Sequence, residues 1–164
     1  YTGRVIERNE PRRTPKAVKP EVAWIMGDIL RDNTARTAAF GSNSTLVIPG
    51  KSVSVKTGTT NEKRDNWTIG FTSSYVAAVW VGNNNNAPLH PHLTSRGTGA
   101  APIWQDIMVE LLKDKPDEVL PKPEGVVALP CYWGKTEYFV RGTEPPGGRC
   151  APLPTPPPSG GPTP

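Results

Sequence analysis

Apolar residues concentrate between Val22 and Leu112, and their spacing changes along the way. From Pro20 onward it is helical. Val22, Ile25, Met26, Ile29 and Leu30 recur at a period of about 3.6, Pro20 stands where a first helical turn accepts proline, and Glu21 suits the positive end. Asp32-Asn33 closes the pattern, so it predicts a helix over 20–32. A Gly/Ser/Asn loop follows around Gly41 to Thr45, after which the period falls to two. Lys51 to Gly58 alternates, with Val53 and Val55 on one face and Ser52, Ser54 and Lys56 on the other. Asn66 to Thr72 sets Trp67, Ile69 and Phe71 against Asn66, Thr68 and Gly70, which predicts the aromatic side as the core face. Tyr75 to Val81 is apolar on both faces, as in a strand covered on both sides. The Thr72-Ser73-Ser74 step is short enough for a hairpin, so these strands are expected to form an antiparallel meander. The last periodic segment, 100–113, has Pro102 near its start, an apolar face of Ile103, Ile107, Met108, Leu111 and Leu112, and Lys113 and Lys115 at its negative end. Helices beside an antiparallel sheet make an α+β chain.

Outside this region the pattern weakens. Residues 2–8 read as a turn and a short strand, and a basic, proline-marked connector runs to Lys19. Beyond Pro116, short apolar patches (Val126-Val127 and Tyr138-Phe139-Val140) stand among turns, and 151–164 is almost entirely proline, glycine, serine and threonine, a composition that predicts an extended, disordered tail. The expected divisions are therefore 1–115, 116–150 and 151–164. Of the 164 residues 35% are hydrophobic, or about 45% with the 16 glycines counted, the low edge for a globular chain; with most apolar residues between Val22 and Leu112, roughly 90 residues must carry the core, whose stability alone would be marginal. No run approaches the ~20 apolar residues of a membrane span, which excludes an integral membrane helix. The chain starts with Tyr1 rather than Met and is expected to continue an upstream sequence holding any targeting segment.

The formal net charge is +4, and the excess is local: Arg4, Arg8, Arg12, Arg13, Lys16 and Lys19 face only Glu7 and Glu10. Such a stretch attracts anionic surfaces, but it lacks interleaved aromatic residues for base stacking and is broken by Pro11, Pro15 and Pro20. A solvated connector is expected, and no nucleic-acid partner.

Chemistry is concentrated in Lys56-Thr57-Gly58-Thr59-Thr60, at the end of an alternating strand. A lone Lys-Thr-Gly says little, since an ordinary edge strand also uses a lysine to discourage aggregation. Its surroundings are more specific: Asn66-Trp67-Thr68-Ile69-Gly70-Phe71, then Tyr75-Val76-Ala77-Ala78-Val79-Trp80-Val81-Gly82-Asn83, then Gly99-Ala100-Ala101-Pro102-Ile103-Trp104. Together with Val22 to Asn33 upstream, these resemble the C-terminal half of the transpeptidase domain of class A penicillin-binding proteins over roughly residues 1–113. Glu137 to Pro145 is similar to the small C-terminal extension many of them carry.

The resemblance implies a serine-type D,D-transpeptidase that cross-links peptidoglycan stem peptides ending in D-Ala-D-Ala, is acylated by β-lactams, and lies at the extracytoplasmic face of the cell membrane. It implies that Lys56 supplies positive charge and orders a proton relay. The hydroxyls of Thr57 and Thr59 would hold the substrate carboxylate, and the Thr59 N–H would serve as an oxyanion donor. Gly58 would let substrate backbone approach, with Thr60 bordering the site. Alternation puts Lys56 and Thr57 on opposite faces, so both reach one ligand only if the strand borders a cleft. No metal or organic cofactor is implied.

The family also needs a Ser-x-x-Lys helix start and a Ser-x-Asn loop, and neither occurs in the 164 residues. Ser52-Val53-Ser54-Val55-Lys56 has one residue too many and lies on a strand, where helical geometry does not bring serine and lysine together. This chain alone is thus expected to be inactive. The nucleophile, any glycosyltransferase domain and any membrane anchor are expected upstream, the missing upstream half being the partner that completes the cleft. In a cell-envelope protein Cys131 and Cys150 are expected to form a disulfide. A zinc site with His90 and His92 is the weaker alternative, because His-Pro-His is too short and stiff for the usual ligand pairs. Trp67, Trp80 and Trp104 are expected in the core, Asn83 to Asn86 in a turn, and Glu62 and Asp65 as unpaired loop carboxylates. The competing functional reading is a non-catalytic module that recognises peptidoglycan or another envelope protein.

Overall fold

The computed structural model describes residues 5, 16–94, 98–131 and 134–150. The expected N-terminal strand, most of the basic connector and the proline-rich tail lie outside these residues. What is described is mixed α+β: a three-stranded antiparallel sheet with helices on it, followed by a two-stranded hairpin.

Helix α1 spans Pro20–Arg31 and ends where its period predicts. Asp32-Asn33, however, is not a stop into loop. Asp32 accepts the Ala35 N–H at 3.0 Å and so caps a second helix, α2, over Asn33–Phe40. That segment is alanine- and threonine-rich, with no apolar stripe for periodicity to detect. Strands β1 (Ser54–Thr59), β2 (Asp65–Phe71) and β3 (Val76–Gly82) form the expected meander, with Lys56 opposite Ile69 and Trp67 opposite Trp80. A two-residue turn at Ser73-Ser74 joins the last two, closed by the Thr72 N–H donating to Tyr75 O at 2.8 Å. Helix α3 covers Ala100–Leu112.

The faces differ from expectation. Asn66 and Thr68 of β2 are buried and Gly70 packs against α3, whereas Trp67 and Ile69 are exposed, at 41% and 43%. Trp104 lies so close to Gly70 that a Cβ there would come within 2.2 Å of its Cζ2, so only glycine admits the indole. Trp104 is fully buried, but Trp80 is 40% exposed and Val76 71% exposed, so among the described residues β3 is covered on one side only. In α3 the buried stripe is Ala100, Ala101, Trp104, Met108 and Leu112, while Ile103 and Ile107 are exposed. The core joins this stripe to Leu46, Ile48, Val53, Val55 and Val79. In α1, likewise, Trp24 and Gly27 are buried, while Val22, Met26 and Ile29 of the expected stripe point outward.

Strands β4 (Val126–Pro130) and β5 (Thr136–Val140) pair as a hairpin that lies against α1. Trp24 donates its indole N–H to Leu120 O at 2.9 Å and meets Tyr138 edge-to-face, with ring centroids 4.9 Å apart. Cys131 and Cys150 are joined in a disulfide across a Cα separation of 5.4 Å, so these thiols are not metal ligands. Among the described residues no three of His, Cys, Asp and Glu come together as a cation site, and no helix is long and apolar enough to cross a membrane.

Candidate active site

Among the described residues strand β1 pairs only with β2, which leaves its other edge open, the condition under which both faces of Lys56-Thr57-Gly58-Thr59 can border one ligand. The backbone directions follow from the ladder. Thr60 donates its N–H to Asp65 O at 3.1 Å, which points the even positions toward β2. Val55 O and Thr57 O turn the other way, accepting from Arg36 Nη1 at 3.4 Å and from Lys56 Nζ. Alternation therefore sends the N–H and C=O of Thr59 to the open edge as well.

The side chains divide between the faces. Lys56 is exposed beside Ile69 on the outer face; its ammonium reaches around to Thr57 O on the edge. Thr57 and Thr59 lie on the other face, where Thr59 Oγ1 accepts from Asn66 Nδ2 at 3.2 Å. Gly58 stands opposite Trp67, whose Cβ would lie 3.7 Å from a Cβ at Gly58, an ordinary contact. The Thr60 hydroxyl is engaged at the turn: it donates to Asp65 Oδ2 at 3.2 Å and accepts the Asp65 N–H at 2.9 Å. Asp65 is accordingly no free loop carboxylate, since it opens β2 and also accepts from Trp80 Nε1 at 2.8 Å. Glu62 is paired too, with Arg64 at 2.5 Å.

A recess of about 230 Å³ runs beside the open edge, lined by Ile29, Ala35, Arg36, Phe40, Lys56 and Thr57. Arg36 holds its wall together. Its guanidinium donates to Leu30 O at 2.9 Å, Arg31 O at 3.2 Å, Asn33 Oδ1 at 3.2 Å and Val55 O, tying the end of α1 and the start of α2 to β1. Burial lowers its pKa from the ordinary arginine value while Asp32 opposes the shift, and so strongly basic a group stays charged. A larger recess, of about 430 Å³, includes Asp28, Arg31 and Lys51 but none of the Lys-Thr-Gly residues. Its charges are committed: Arg31 to Asp28 at 2.5 Å, and Lys51 to Lys115 O. Neither Arg36 nor Asn66 announces itself in the sequence, because their partners are backbone groups and a hydroxyl distant along the chain.

Neither serine near Lys56 is free. Ser54 is buried and donates to Gly27 O at 2.7 Å, and Ser52 gives both its N–H and its hydroxyl to Asp117.

A mixed α+β body with an open-edged strand bearing Lys-Thr-Gly-Thr defines the structural class, and comparison with known proteins narrows it. No family model matches the chain. It is 35% identical over 120 residues to penicillin-binding protein 1A of Pseudomonas aeruginosa, a match covering 73% of this chain and 14% of that protein. With penicillin-binding protein 1A of Neisseria lactamica it shares 33% identity over 134 residues (79% of this chain, 15% of the relative), and with that of Clostridium tetani 31% over 160 (88% and 20%). The crystal structure of penicillin-binding protein 1A from Haemophilus influenzae superposes with a TM-score of 0.63 at 29% identity, over 80% of this chain and 22% of that one. The chain belongs to the penicillin-binding protein family. It spans about one seventh to one fifth of the length of these curated relatives.

Proposed function

We propose that this chain forms one wall of the acyl-transfer cleft of a serine-type D,D-transpeptidase, as the C-terminal part of that domain (residues 1–115) followed by a small extension (116–150). The observation that carries the reading is the open edge of β1, where Thr59 directs its backbone N–H outward and Lys56 brings its ammonium to the same edge. A tetrahedral oxyanion needs a fixed N–H donor, and the free edge of a strand supplies one without reorganisation. A stem peptide ending in D-Ala-D-Ala would lie along β1. Its terminal carboxylate would be held by the hydroxyls of Thr57 and Thr59, and Gly58 would keep the strand low enough for close approach. Thr60 would border the site, with its hydroxyl holding the turn.

The nucleophile would be a serine in sequence preceding this chain. Its Oγ attacks the penultimate D-Ala carbonyl, forming an ester and releasing the terminal D-Ala, whose amine takes the proton relayed from the serine. An acceptor amine then breaks the ester and forms the cross-link. A β-lactam would acylate the same serine. In this reading the parent protein also carries a peptidoglycan glycosyltransferase and a membrane anchor upstream, and works at the extracytoplasmic face of the cell membrane.

Intact-mass detection of benzylpenicillin adducts, on this chain and on the chain extended upstream, tests the proposal. A stoichiometric adduct on the extended form only is expected. An adduct on the 164-residue chain itself would mean that the nucleophile lies within it. No adduct on either form would sink the catalytic reading in favour of a non-catalytic envelope-binding module.

A further inference from the structure

Asn66 stands near the start of β2, only 6% exposed, and its side-chain amide is used at both ends. Oδ1 accepts the backbone N–H of Ala100, in the first turn of α3, at 2.8 Å, while Nδ2 donates to Thr59 Oγ1 at 3.2 Å. The first bond dictates the second. A backbone N–H can only donate, so the amide oxygen faces Ala100 and the NH2 group must face Thr59. The fit at the helix is close: Gly99 has φ +72°, and a Cβ on it would come within 2.6 Å of Asn66 Oδ1.

The consequence falls on one proton. A threonine hydroxyl has a single hydrogen, and because Oγ1 of Thr59 already accepts from the amide, that hydrogen is directed away from Asn66. Accepting a hydrogen bond also polarises the O–H and makes it a better donor. We propose that Asn66 is a positioning residue: anchored to the start of α3, it fixes the Thr59 hydroxyl as a donor aimed at the terminal carboxylate of the acyl donor or of a β-lactam. This rests on the reading of Thr59 as a carboxylate-binding residue. The Lys56 ammonium is spent on Thr57 O within its own strand, and the hydrogen-bonded link from this strand to α3 runs through Thr59 and Asn66.

Asn66→Asp separates positioning from mere support. One carboxylate oxygen still accepts the Ala100 N–H, with a charge that a helix start favours. The other takes the Thr59 proton, so that Oγ1 presents a lone pair to the incoming carboxylate. The readout is the second-order rate constant for acylation by benzylpenicillin on the chain with its upstream sequence, with a melting curve for every variant. Asn66→Asp is expected to acylate about tenfold more slowly than wild type, as for loss of one charge-assisted hydrogen bond, at an unchanged or higher melting temperature. Thr59→Ala is expected to slow acylation by a similar factor, and the double variant to be no slower than Thr59→Ala alone. Wild-type rates in Asn66→Asp would overturn the inference while leaving the function reading intact. So would a further slowing in the Thr59→Ala background, because the new charge would then act on the ligand directly. A lowered melting temperature in Asn66→Asp would also overturn it, by assigning the loss to structural damage. An extended wild type that takes up no penicillin would remove the function reading itself, and this inference with it.

Discussion

Lys56 and Thr59 are three positions apart and point to opposite faces of β1, yet both present a polar group to the same open edge. Lys56 is exposed and its ammonium bonds within its own strand, so Lys56→Ala should leave the fold intact. If the ammonium supplies charge to the cleft, the same change should slow penicillin acylation of the upstream-extended chain by about a hundredfold, the scale of losing one preorganised electrostatic contact. Stopped-flow acylation beside a denaturation curve separates the two effects, and a wild-type rate would remove Lys56 from the site. Gly70 is the converse case, a residue with no chemistry on which packing depends. A Cβ there would meet Trp104 at 2.2 Å and Ser54 O at 2.9 Å, so Gly70→Ala should destabilise by about 1–3 kcal/mol through overpacking. Urea unfolding of the two proteins measures this, and equal midpoints would mean that the indole can move aside.

Between elements, the connection from α3 to the hairpin is hooked to the sheet by carboxylates. Asp117 accepts the Ser52 N–H at 2.6 Å and its hydroxyl at 2.7 Å, and Glu118 accepts the Ser73 hydroxyl. The Ser52 backbone N–H chiefly holds Asp117 below the ordinary carboxylate range; its hydroxyl and Lys51 add to this against a burial penalty. The Ser73 and Ser74 hydroxyls do the same for Glu118. Both folded pKa values lie below the unfolded ones. The contribution is therefore complete above the ordinary carboxylate values and is lost as pH falls through the folded ones, below about pH 4. Asp117 is exposed and Glu118 half-buried at the surface, so the loss should be a local release rather than unfolding. The Ser52 amide proton, followed by NMR from neutral to acid, should titrate with a midpoint below that of an ordinary aspartate, and Asp117→Ala should abolish the transition. A midpoint at or above the ordinary value would disprove the hook. The disulfide acts on the hairpin in the same way as a tether. It closes a separation of 19 residues, so reducing it should cost about 3 kcal/mol in the chain-entropy model. Hydrogen exchange should then rise across β4 and β5 while β1 to β3 stay protected; a uniform rise would show that hairpin and sheet unfold as one unit.

The sequence reveals the strands of this body more readily than their orientation. Period two marks β1, β2 and β3, and Lys-Thr-Gly stands out against its neighbours, but alternation defines two faces without saying which one α3 covers. On β2 the choice went to the less apolar side, because Gly70 admits Trp104 and Asn66 caps α3, two facts that depend on a helix some 30 residues further on. Helix α1 poses the same problem in sharper form. It buries Trp24 and Gly27, yet its opposite side presents Val22, Met26 and Ile29, and a helix apolar on both sides belongs inside a larger body. Trp67, Ile69 and Trp80 make a second apolar area on the outer face of the sheet, beside Lys56. If the upstream part of the domain completes the cleft, it should cover both areas. Trp67 and Trp80 would then lose solvent, and hydroxyl-radical footprinting should show Met26 and both indoles oxidised in the 164-residue chain but protected in the extended protein. Trp104, buried in either form, is the internal control. Equal labelling of Trp67 and Trp80 in the two proteins would mean that the upstream sequence does not seat on this face. The cleft would then have to be closed from the α2 side of β1, along the recess that Arg36 holds.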